Sequence, residues 1–176
     1  DAQVKEYIEK NDNRGFHELL EAIEPGLVQI YGSLKSIKGH VTDEKVYLST
    51  LKETGNLQYL LRRYSDQLNS NNKSGDTFKD VESIVNSIHM SVYLLSVSAP
   101  ALIGTHDPSQ MEDFVDVFVR NIIRMSKCIS QCAPGTTLLK SELDEMQAEI
   151  DEVQGKCFMI HYELKELTQK IKQASK

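Results

Sequence analysis

The chain has no tryptophan, no run of six like charges and no apolar run of membrane length, and each absence narrows its reading. Without a block of like charge, neither an acidic tail nor a basic nucleic-acid arm is present. Lys and Arg number 20 against 26 Asp and Glu, a formal charge of −6, which is opposite in sign to the basic footprint of a duplex binder. No nucleic-acid partner is expected. The longest apolar-rich run, Val92 to Ile103, is too short to span a bilayer and is interrupted by Pro100, so no membrane insertion is expected. Nor does any stretch alternate apolar and polar residues for long enough to make a strand.

Catalytic signatures are equally scarce. The nine glycines are scattered, mostly at turns, and form no phosphate cradle. There is no HExxH, and no Glu stands three residues before any of the five histidines, so zinc-protease and di-iron bundle patterns are absent. His17 and His161 read as helix-surface residues. No catalytic, cofactor-binding or metal-ligating residue is assigned, and no enzymatic activity is expected.

What is there is helical periodicity. Leu139, Leu143, Met146, Ile150, Val153, Cys157, Ile160, Leu164, Leu167 and Ile171 follow one another at spacings of four and three, one apolar stripe along a helix over Leu138–Ile171. Acidic side chains gather early in this stretch and lysines late, the order that complements a helix dipole. At ~1.5 Å per residue the rod is roughly 50 Å long, and its stripe needs other helices to cover it.

The rest of the chain supplies them. Val4, Tyr7 and Ile8 suggest a short first helix. A second stripe runs from Phe16 to Ile37 through Pro25-Gly26, where a kink or brief break is expected because proline removes a hydrogen bond and crowds the preceding turn. Thr42 is the expected N-cap of a third helix reaching Leu68. Asn69–Asp76 reads as a loop. A fourth helix starts near Thr77, thins its polar face after Ser91 and is expected to break at Ala99-Pro100. Asp107-Pro108-Ser109-Gln110 reads as the start of a fifth helix, with Asp as N-cap and Pro at the first helical position. Ala133–Thr137 then turns into the long final rod. The expectation is an all-α, elongated antiparallel bundle of five to six helices, one domain over residues 1–176 with a long C-terminal helix.

Three features bear on compartment. A direct hairpin of the last two helices would put Cys157 near Phe114, and Cys128 and Cys132 near Leu143 and Leu139. Cys157 would then lie roughly 20 Å from the other two, beyond disulfide reach. Cys128 and Cys132, four apart, are candidates for a local disulfide; three reduced, buried thiols are the alternative. Asn72 heads an Asn-Lys-Ser glycosylation acceptor. Asp1 opens the chain in place of Met, as after leader removal, although a trimmed chain would start the same way.

The start at Asp1, the terminal heptad helix and the Cys128-Ile129-Ser130-Gln131-Cys132 spacing resemble the small all-helical secreted salivary proteins of mosquitoes, of the neutrophil-stimulating factor type. The resemblance implies secretion into a host and an effect on immune cells, through a host-cell receptor and without enzymatic activity. It transfers no functional residue. The leading expectation is therefore a secreted, non-enzymatic helical effector with a protein partner and no cofactor. The rival is a cytoplasmic adaptor or coiled-coil subunit. A third reading is a carrier of a small apolar ligand, using Val92–Ile103 with Met90, Met111 and Met125. Candidate recognition residues lie on two connections: Asn69, Asn71 and Lys73 in one, His106 and Asp107 in the other.

Overall fold

The computed structural model describes residues 21–67, 73–130 and 138–175, and these form five helices with no strand among them. α1 covers residues 21–37. A short 3-10 turn, Glu44–Tyr47, leads into α2, Leu48–Gln67. α3 is Lys73–Leu102, α4 is Pro108–Ser130 and α5 is Leu138–Ala174. The protein is all-α with a long C-terminal helix, as its periodicity predicts; the segment holding Val4, Tyr7 and Ile8 lies outside the described residues.

Polar bridges between helices fix their directions. Thr50 donates to Ser33 at 2.9 Å, tying α2 antiparallel to α1. Gln58 reaches Asn86 and Arg62 reaches Glu82, so α3 runs antiparallel to α2. Arg120 pairs with Glu149, while Arg124 holds both Glu142 (3.0 Å) and Glu145 (2.5 Å), an antiparallel α4–α5 hairpin. Lys140 meets Asp80 and Ser98 meets His161, so α3 and α5 are parallel neighbours. Lys38, in the turn just past α1, closes the circle on Asp116 of α4 at 2.9 Å. The order around the bundle is α1, α2, α3, α5, α4: the last helix slots between the two that precede it in sequence.

The core lies inside this ring. Ile23, Leu27, Ile30, Leu34 and Ile37 of α1 are all fully buried, as are Leu61 of α2 and Val81, Ile84, Val85 and Ile88 of α3. From α4 come Met111, Phe114, Phe118, Ile122 and Met125, and α5 adds its stripe from Leu143 to Leu164. Burying each such side chain contributes about 1.5–3 kcal/mol relative to exposure. This packing explains where sequence-based helix ends fail. Residues 21–37 are one helix with no break at Pro25-Gly26, because the buried stripe continues across it. At Gly26 an added Cβ would stand 3.3 Å from Leu57 Cδ1, so the glycine lets α1 lie close on α2. Likewise α3 passes Pro100, which sits inside it, and ends at Leu102, whose side chain is buried. The chain turns instead at Gly104, φ +79°, a conformation suited to glycine.

Other boundaries shift by less. Asp43, not Thr42, caps the turn before α2, its carboxylate accepting from the Lys45 N–H at 3.0 Å. Lys73–Asp76, read as loop from its Asn/Ser/Gly composition, is the first turn of α3. The stretch Lys79–Leu102 is long and apolar enough to cross a membrane by length and composition, more than Val92–Ile103 alone suggests. Within the bundle 56% of its window is buried, the pattern of a core helix between α2 and α5.

Truncating Ile88 in the centre of α3 to alanine is expected to destabilise the protein by about 2–5 kcal/mol. The check is the urea midpoint followed by circular dichroism, with an unchanged slope.

Candidate functional site

The candidate recognition residues that the structure describes sit at opposite ends of the bundle. Lys73 opens α3, whereas His106 and Asp107 follow its C-terminus, roughly 45 Å away at ~1.5 Å per residue. No single surface holds both. Asn69 and Asn71, and Asn72 with them, lie outside the described residues. His106 and Asp107 have clear local partners. Asp107 caps α4, accepting from the Ser109 N–H at 3.0 Å, and that bond holds its carboxyl below the usual range. His106 faces Glu163 of α5 at 3.5 Å.

The cysteines keep the spacing expected of the hairpin. Cys128 donates to Glu142 at 3.5 Å, and Arg124 and then Cys128 hold that carboxylate below its ordinary pKa. Cys157 is fully buried between the Arg120–Glu149 and His106–Glu163 levels, about 20 Å up α5 from Glu142. Burial pushes its thiol up to about 12, so it is a core residue without nucleophilic character at neutral pH. Cys132 lies outside the described residues, and among those described there is no disulfide.

No group of three or more metal-ligating side chains occurs among the described residues. Two histidines serve helix packing. His161, read from sequence as a surface residue, is half-buried against Ser98, at 3.1 Å. His89 meets Thr54 at 2.6 Å. The Thr54 hydroxyl already donates to the Thr50 carbonyl at 2.8 Å. It must therefore accept from His89, which places a proton on Nδ1. Burial lowers the His89 pKa.

Two apolar surfaces on the sides of the bundle stand out among the described residues. The first is a strip across α3 and α5. Ser87 reaches Asp151 and Ser98 reaches His161, and this parallel register sets Tyr93 to Val97 level with Cys157 to Ile160. Tyr93 (49% exposed), Phe158 (48%), Met159 (63%) and Tyr162 (62%) stand out to solvent there, with Met90 and Val97. Charges of both signs lie along the same part of α5: Asp151, Glu152 and Glu166, with Lys165 and with Lys156, which pairs with Glu152 at 3.7 Å. The second is a groove between α1 and α4 of about 350 Å³, lined by Leu27, Val28, Tyr31, Ile122, Ile123, Ser126 and Lys127. It is not where a ligand space was expected: Met111 and Met125 are closed inside the core, Met90 is exposed on α3, and none of the three lines the groove. Sequence reading passed over Val28, Ile123, Phe158 and Met159. Their signal is a large apolar side chain outside the 3–4 stripe of its own helix.

No protein-family model matches the chain, and comparison with curated proteins and with solved structures gave no match either.

His89 stays neutral in the fold while the unfolded chain protonates near pH 6.5. The unfolded state therefore binds more protons below that pH, and stability falls on acidification from pH 6.5 through the lowered folded value. Glu142 and Asp107, whose pKa values are lowered, lose their stabilising contribution only in the carboxylate range. Replacing His89 with Gln is expected to flatten the urea midpoint just below pH 6.5 and leave the acid limb in the carboxylate range in place.

Proposed function

We propose that the protein is a secreted, non-enzymatic helical effector that acts by binding a protein partner through the α3–α5 strip. The observation that carries this reading is the set of aromatic and methionine side chains held out to solvent on α3 and α5, although α5 buries its stripe from Leu143 to Leu164 and α3 buries Val81, Ile84, Val85, Ile88, Val92 and Leu95. Tyr, Phe and Met are the side chains enriched at the centres of protein interfaces. In the resemblance to mosquito salivary proteins that partner is a receptor on a host immune cell. A Cys128–Cys132 disulfide and a glycan on Asn72 belong to the same reading.

Two measurements test it. Intact mass of the protein from its source should rise by two daltons on reduction and fall on deglycosylation; three reduced thiols and no glycan would overturn secretion. Fluorescently labelled protein should bind vertebrate leukocytes saturably. The pair Phe158→Glu and Tyr162→Glu should lower that affinity at least about tenfold, in line with loss of a central aromatic contact, with helicity unchanged. Equal binding by the double variant, or no binding by either protein, overturns the reading.

One observation favours a second reading, an adaptor that shares α5 with another bundle. The stripe of α5 is buried as far as Leu164, whereas Leu167 (44%) and Ile171 (60%) continue it in the open. Everything from Lys165 to Ser175 is exposed, past the end of α3 and the start of α4. An adaptor predicts self-association or hetero-assembly in sedimentation that Leu167→Glu with Ile171→Glu abolishes. A monomer unaffected by these changes removes it.

A further inference from the structure

The groove between α1 and α4 has a chemistry of its own, separate from the α3–α5 strip. Leu27 and Ile122, both buried, form its floor, and Val28 and Ile123, both exposed, form its walls. Tyr31 stands at one end. The other end closes on Ser126 and Lys127. The lining is thus aliphatic along its length and polar and cationic at one terminus. Lys127 has no ion-pair partner among the described residues, in contrast to Arg120 and Arg124 on the same helix and to Lys38 just past α1. A second ammonium, Lys35, lies 5.9 Å from the centroid of the Tyr31 ring. Lys35 lies outside the lining, at the Tyr31 end, so Lys127 is the cation of the trough itself.

Such a trough suits a ligand with a single aliphatic tail and one anionic head. Its volume of about 350 Å³ falls at the small end of ligand sites, ~300–1,000 Å³. At ~30 Å³ per heavy atom, the share a water takes in the liquid, it holds on the order of ten heavy atoms. We propose that the groove binds one medium-chain fatty acid, of octanoate to decanoate length, as the carboxylate. The tail lies over Leu27 and Ile122 between Val28 and Ile123. The carboxylate pairs with the Lys127 ammonium and accepts from the Ser126 hydroxyl.

The test is titration calorimetry of the full chain with sodium decanoate below its micellar concentration, alongside decanol and decyltrimethylammonium. Decanoate should bind one to one and saturably. Lys127→Glu, which turns attraction into repulsion at an exposed site, should weaken it about tenfold. Ser126→Phe, which fills the trough, should abolish binding. Decanol should bind more weakly and the quaternary ammonium weakest. Circular dichroism and sedimentation of each variant establish that fold and association state are kept. The proposal is overturned if the native chain does not bind decanoate saturably. It is equally overturned if both variants bind as the native chain does, or if decanol or the ammonium binds as tightly as the carboxylate. A dimer that Ser126→Phe dissociates, with no decanoate binding, would assign the groove to a second copy. The leukocyte experiment addresses a different face, so either proposal can fail alone.

Discussion

The bundle depends on one act of burial, the seating of the α5 stripe between α3 and α4. Leu143, Met146, Ile150, Val153, Cys157, Ile160 and Leu164 each fall at 5% exposure or less, and together they form an apolar ridge on the helix that packs against both α3 and α4. Take it away and α3 loses a wall on one side, α4 on the other. The ion pairs along the same seam cannot substitute for it. Arg124 with Glu142 and Glu145, and Lys140 with Asp80, are largely solvated, and such pairs are worth about 0–1 kcal/mol each. Their part is register: they select which turn of α5 faces which turn of its neighbours, and hydrophobic burial holds what they select.

Polar groups inside the ring follow a similar division. Ser33, Thr50 and Thr54 are buried, but each hydroxyl is satisfied by a backbone carbonyl or by a neighbour. The Tyr47 hydroxyl donates to the Val41 carbonyl at 2.5 Å, pinning the connection between α1 and α2 while its ring fills the core. Asn121 is the exception, since its amide donates to Val117 but its side-chain oxygen is buried without a partner among the described residues. A buried oxygen of this kind costs about 1–3 kcal/mol, which the surrounding Phe118, Ile122 and Met125 offset.

Much of this architecture was legible in the residues. A stripe such as Leu139–Ile171 is a property of one helix and needs no knowledge of its neighbours, and the same holds for Ile23–Ile37 and Met111–Ile129. Asp107-Pro108 is also local, because a cap is made within one turn. The misreadings share the opposite character. Pro25 and Pro100 break helices on local grounds, whereas Ile23, Leu27, Ala99 and Leu102 are held by contacts with other helices. Lys73–Asp76 looks like loop from composition and becomes helix at the head of a 30-residue rod. The groove was out of reach altogether. It joins Val28 to Ile123, nearly a hundred residues apart, and nothing in either helix announces that they close a ring.

That ring order carries a kinetic consequence. α3 and α5 are parallel and adjacent, so α4 must be made, and must travel back along the bundle, before the helix that belongs beside α3 exists. On a ribosome adding ~5–20 residues per second, the interval between completing α3 and completing α5 is roughly 4–14 s. Throughout it, Val81, Ile84, Ile88 and Leu95 have only half of their eventual surroundings. Contacts of such long sequence separation also close slowly, because the chain between them must first be gathered. The bundle can therefore close only once α5 has been made, from a nascent chain in which the apolar α3 waits for that partner.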